Sequence, residues 1–103
     1  MKSTHEQQQH LVTRCGARIG MLNASWPLAR LDASPERLVV GVLLLGSRVY
    51  ARDQVEKINV HRGVVSRGLR IRDRKGLTPV IVWLRDPERL ARTLRTWGYP
   101  VEL

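Results

Sequence analysis

Along most of the chain, apolar positions recur at every second residue in short runs broken by turn-forming residues, the pattern of half-buried strands. The breaks fall at Asn23-Ala24-Ser25, Asp32-Ala33-Ser34-Pro35, Gly46-Ser47, Asp53-Gln54, Gly63 to Gly68 and Asp73 to Gly76. Between them the spacing predicts strands at about 17–22, 26–32, 37–45, 48–52, 54–62, 68–74 and 79–85. The period then changes. Asp86 is an N-cap, Pro87 takes the first helical position where its missing N–H costs nothing, and Glu88 complements the helix dipole. Leu90, Ala91, Leu94 and Trp97 follow at three- and four-residue intervals, and Gly98 with Pro100 stops the helix. The predicted architecture is mainly β with one C-terminal helix: a seven-stranded antiparallel sheet that curls on itself, its open end capped by that helix. Residues 16–103 form the single domain, and the polar residues 1–15 form a mobile tail.

Two strands carry more than their fold. In Leu69-Arg70-Ile71-Arg72-Asp73-Arg74, alternation puts Leu69 and Ile71 on one face and Arg70, Arg72 and Arg74 on the other. Guanidinium groups spaced about 6.6 to 6.8 Å apart along a strand suit successive phosphates or carboxylates. Arg62, Arg67 and Lys75 in the adjoining loops extend this anion-binding set. The run Leu38 to Leu45 is apolar on both faces. With Gly46-Ser47 as a two-residue hairpin, Val40, Val42 and Leu44 face the core, while Val39, Leu43, Leu45 and Tyr50 face outward. A strand with one wet face should alternate, so something must cover that outward set: the helix, the N-terminal segment around Leu11 and Val12, or another copy of the protein, which makes it a candidate self-association surface.

Composition narrows the function. The chain has 103 residues, enough for one core, and a net charge of +9 from 18 basic against 9 acidic residues. All but three of the basic residues are Arg. The imbalance asks for an anionic partner: an acidic protein face, an anionic surface or nucleic acid. Cys15 is the only cysteine, so no internal disulfide forms, and a reducing, cytoplasmic setting follows. No apolar run reaches the length of a membrane-spanning helix. His5, His10 and Cys15 match no zinc spacing, and no other metal or cofactor motif is present. Gly63-Val64-Val65-Ser66-Arg67-Gly68 has the glycine spacing of a phosphate loop, but Leu69 and Arg70 stand where Lys and Ser/Thr are required. His61, the only other histidine, has no nucleophile or second base beside it in sequence. These residues carry no enzyme motif.

A family resemblance sharpens the fold. Seven short strands and a C-terminal helix resemble the pleckstrin-homology-like (PH-like) fold. Leu22-Asn23-Ala24-Ser25-Trp26-Pro27-Leu28-Ala29-Arg30-Leu31 is similar to a stretch of small bacterial members of that family. The ending, Val82-Trp83-Leu84, Asp86-Pro87-Glu88 and Leu94 to Pro100, resembles them too. The resemblance implies a helix-capped barrel acting as a non-catalytic binding module without cofactor. Phosphoinositide-binding members cluster basic residues across the first two strands, whereas only Arg18 and Arg30 stand here, so their lipid site does not carry over. The expected function is a binding module engaging a protein partner or an anionic surface through its Arg-rich face. The alternatives are a nucleic-acid-binding basic domain or a structural, homo-oligomerising domain.

Overall fold

The computed structural model describes residues 9–63, 66–76 and 78–103. Eight strands form one sheet in the order β4-β3-β2-β1-β7-β6-β5-β8. The strands are β1 (Leu11–Ile19), β2 (Leu22–Ala33), β3 (Arg37–Val42), β4 (Gly46–Ala51), β5 (Val55–Arg62), β6 (Arg67–Asp73), β7 (Val80–Trp83) and β8 (Val101–Glu102). The one α-helix among the described residues, α1 (Pro87–Thr96), lies between β7 and β8.

The sheet departs from the expected seven antiparallel strands in number, direction and closure. The eighth strand runs parallel to β5, pairing Ile58 with Val101 and Asn59 with Glu102, and two residues are too few to leave a periodic signal. Closure fails because β4 and β8 end the sheet, with no ladder joining β4 to β5. Side chains bridge that gap instead. Arg48 Nη1 donates to the Thr78 carbonyl at 2.7 Å, Arg52 Nη1 to that of Trp97 at 3.1 Å, and the Tyr99 hydroxyl to that of Ser34 at 2.7 Å.

Strand β1 begins at Leu11, so residues 11–15 belong to the sheet rather than to a tail, and Cys15 is fully buried. The expected first strand, 17–22, straddles the β1–β2 turn, where Gly20 takes the left-handed φ of 61°. Asn23-Ala24-Ser25 is strand rather than turn. Where β1 meets β2 the register jumps: Cys15 faces Ala29 but Ala17 faces Ala24, leaving residues 25–28 opposite Gly16 alone.

The β3–β4 connection also differs from the two-residue hairpin. Val42 pairs with Gly46 and Leu38 with Tyr50, so Leu43-Leu44-Leu45 is the turn. Leu44 holds a φ of 67° there, and Gly46 follows at 94°. This register sends Tyr50 into the core beside Leu38 and Val40, and it turns Val39 and Val49 outward.

The helix follows its sequence signals closely. Asp86 Oδ1 accepts from the Arg89 N–H, and Pro87, Leu90, Ala91 and Leu94 are buried. Gly98, at φ 95°, turns the chain so that the Tyr99 N–H reaches the Leu94 carbonyl. The helix lies over β5, β6 and β8, not across the mouth of a barrel. One core runs from Cys15, Leu31 and Val40 through Ile58 and Ile71 to Leu94 and Tyr99.

Candidate functional site

Alternation holds along β6: Leu69, Ile71 and Asp73 are buried, while Arg70 and Arg72 point to solvent. Cross-strand pairing builds this outer face further. Arg70 lies opposite Asn59 on β5 and Ile81 on β7, and Ile81 lies opposite Arg18 on β1. Arg18 and Arg70 therefore share one face two strands apart, about 9.5 Å across the sheet. Arg72 stands one outward position further along β6.

The six residues expected to bind anions do not form one cluster. Arg70 and Arg72 stand on the outer face; Arg74 follows in the turn, exposed, with its Nε donating to the Asp53 carbonyl at 2.9 Å. Arg72 lies 3.8 Å from Glu56, both exposed, a pairing that stabilises little. Arg62 and Arg67 converge instead on Glu88 at the helix N-terminus, at 3.8 and 3.1 Å. Lys75 is exposed in the turn after β6, its backbone N–H bound to Asp73 Oδ1. Val64 and Val65 of the glycine-spaced loop lie outside the described residues.

The self-association set divides as well. Leu43 and Leu45 are exposed on the turn and Val39 is half-buried, but Tyr50 is sealed in the core and presents no surface. Burial raises the Tyr50 hydroxyl pKa above its ordinary value, an effect opposed by its hydrogen bond from Arg48. Burial likewise pushes Tyr99 up to about 12 and Cys15 up to about 11. A thiol so far from its thiolate is a poor nucleophile. His10 contacts Asp32, and His5 lies outside the described residues. Among the described residues no group of His, Cys, Asp or Glu is arranged to hold a metal, and no helix is long and apolar enough to cross a membrane.

Sequence reasoning missed an aromatic feature beside Arg18. Trp83 lies on the outer face between two glycines, Gly16 on β1 and Gly68 on β6. A Cβ on Gly68 would collide with the Val82 carbonyl, and one on Gly16 would lie 3.2 Å from Trp83 Cδ1. The indole Nε1 donates to Asn23 Oδ1 at 3.2 Å, and the far end of the ring reaches towards Gly63. The His61 ring meets it edge-on, with centroids 5.6 Å apart. Next to this fixed indole, the bulge of β2 projects Trp26, 69% exposed. Two shallow depressions of about 740 and 620 Å³ share Trp26, Ser66 and Trp83. The one available signal was Pro27, which is confined to edges and bulges and so marked Trp26 as outside a regular central strand.

The sequence matches no known protein family and no curated protein. Solved structures share its fold. The C-terminal domain of an unknown protein from Leishmania infantum superposes with a TM-score of 0.65 at 14% identity, over 93% of this chain and 92% of that one. A synaptonemal complex protein superposes at 0.66 with 9% identity, over 91% of this chain. The present chain spans only 29% of that protein's length. At such identities the likeness is one of fold alone.

Proposed function

We propose that this chain is a non-catalytic, cytoplasmic binding module of PH-like build that engages an anionic partner through the outer face of β1, β7 and β6. The PH-like reading draws support from the connectivity, a four-strand meander, then a three-strand meander, then a helix. The observation that carries the functional reading is the outward alignment of Arg18, Arg70 and Arg72 within one sheet face. Arg18 bonds only to the nearby Gly20 carbonyl among the described residues, which leaves its charge uncompensated. The strands fix the backbone positions from which these guanidinium groups reach out on one face, so a partner with regularly placed carboxylates or phosphates gains several charge-assisted bonds at once.

The test is cosedimentation with anionic vesicles and binding of polyglutamate, comparing wild type with a triple Arg18→Ala, Arg70→Ala, Arg72→Ala variant. A second triple, Arg89→Ala, Arg92→Ala, Arg95→Ala, removes the same charge from the exposed helix surface. Loss of binding only in the first triple is expected. Equal loss in both would mean that net charge, not this face, attracts the partner.

A second reading is self-association through the exposed turn, where Leu43, Leu44 and Leu45 are 64, 95 and 62% exposed. Light scattering on the eluting protein tests it, and a strict monomer at high concentration removes it.

A further inference from the structure

The basic face has an aromatic neighbour, and the two together are more selective than charge. The two depressions meeting at Trp26, Ser66 and Trp83 are rimmed by Arg14, Arg67 and Arg85 on one side and by Arg18 on the other. No carboxylate lines either one. Among the described residues Arg14 and Arg85 enter no ion pair, so their charge is available to a ligand. Trp83 is held by the Asn23 hydrogen bond and the His61 edge contact, whereas Trp26 offers most of its indole to solvent.

We propose that this trough binds single-stranded nucleic acid, with a base stacked on Trp26 against the fixed Trp83 wall and the flanking phosphates held by Arg14, Arg18 and Arg85. The inference rests on the anionic-partner reading and narrows the class of partner. Three physical points favour it. Arginine at the rim and indole in the middle supply together the two contacts a strand of nucleotides offers, charge for its phosphates and a π-face for a base. Any base stacks on an indole, so the site needs no base-specific donors to hold a strand of any sequence. A duplex hides the faces of its bases and would meet the arginines alone. An acidic peptide would satisfy the same arginines but leaves the exposed indole without a matching planar face.

Fluorescence anisotropy of a labelled oligothymidylate, titrated between about 50 and 200 mM salt, tests the proposal. Wild type should bind, and Trp26→Ala should weaken binding on the order of 10- to 100-fold, the loss of one stacked base. Trp26→Tyr should restore most of it, because the ring face remains. Since Trp26 is exposed, thermal melts of both variants should match wild type, separating binding from folding. A double Arg14→Ala, Arg85→Ala variant should lower the slope of log K against log salt by about 1.4, the share of two phosphates on a single strand. The proposal is overturned if oligothymidylate does not bind at the lowest salt, or if Trp26→Ala binds as wild type. Polyglutamate displacing the oligonucleotide at equal charge concentration would also overturn it in favour of an acidic protein partner. If oligothymidylate fails while vesicles or polyglutamate still bind through Arg18, Arg70 and Arg72, this inference falls and the broader anionic-partner reading stands.

Discussion

The two wings of the sheet share a strand pattern and differ in what lies against them. In the wing of β2, β3 and β4, no helix among the described residues covers either face, and the hairpin tip leaves Leu43, Leu44 and Leu45 in solvent. In the wing of β5, β6 and β7, α1 packs against the inner side of β5 and β6, and the outer face carries charge and aromatic rings. The first wing is held by its ladder and by one side of a shared core. The second has a helix, a core and side-chain bonds reaching back to the first. Trp83, Arg70 and Arg72 thus sit on the better-supported half, where packing can fix their geometry, whereas Trp26 projects from the open one and Arg14 and Arg18 stand on β1 between the two.

The comparison breaks most visibly at the helix. Leu94→Ala should cost about 2 to 5 kcal/mol as a core truncation, and Arg92→Ala on the exposed side about nothing. Thermal melts distinguish the pair, because each kcal/mol moves the midpoint by roughly 4 to 8 °C in a domain of this size. Equal losses would mean that the helix does not dock by its buried stripe. Glycines give the next contrast. Gly68→Ala in the helix-backed wing pushes a methyl into the β7 backbone and should cost about 3 kcal/mol. Gly46→Ala in the open wing meets nothing within 4 Å and costs only its left-handed φ, about 1 kcal/mol. Denaturant midpoints in the reverse order would contradict the assignment of the tighter wing.

The smallest effect probes the link between the wings. Tyr99→Phe removes the hydrogen bond to the Ser34 carbonyl and should cost about 1 kcal/mol near neutral pH. Its pH dependence has a definite sign. The folded chain holds the Tyr99 proton to about 12, against an ordinary value of 10.0, so that stability is fully present below pH 10 and lost as pH rises through the folded value. Cys15 adds a similar loss beginning near 9.0 and complete above about 11. Urea midpoints of wild type should therefore fall across this alkaline range, with a shallower fall above pH 10 in Tyr99→Phe. An unchanged slope would mean that Tyr99 is not the titrating group.

What was legible in the sequence is what local residues determine. Asp86, Pro87 and Gly98 each act within a turn of themselves, and the helix they predict is the one that forms. Alternation through Leu69 to Arg72 needs no distant information, and it too is observed. The Leu43-Leu44-Leu45 turn was hidden because three leucines read as strand, and only pairing with β4 forces Leu44 to a positive φ. Tyr50 was sent to the wrong face by the same shift of register. The Trp83 cradle depends on β1, β7 and β6 lying side by side, and the Trp26 projection on the mismatch between β1 and β2. Neither arrangement has a short-range trace, so the charged part of the site could be read from sequence and the aromatic part could not.

Buried at the register jump, Cys15 also gives the molecule an internal clock. As the only thiol in the chain, fully enclosed beside the point where β1, still paired with β2, begins to pair with β7, it reacts with an alkylating reagent only during moments when that junction parts. The labelling rate then reports the frequency of those partings at the seam between the wings, without any engineered probe. A ligand seated across Trp26 and Trp83, straddling the same seam, would slow that clock as it binds.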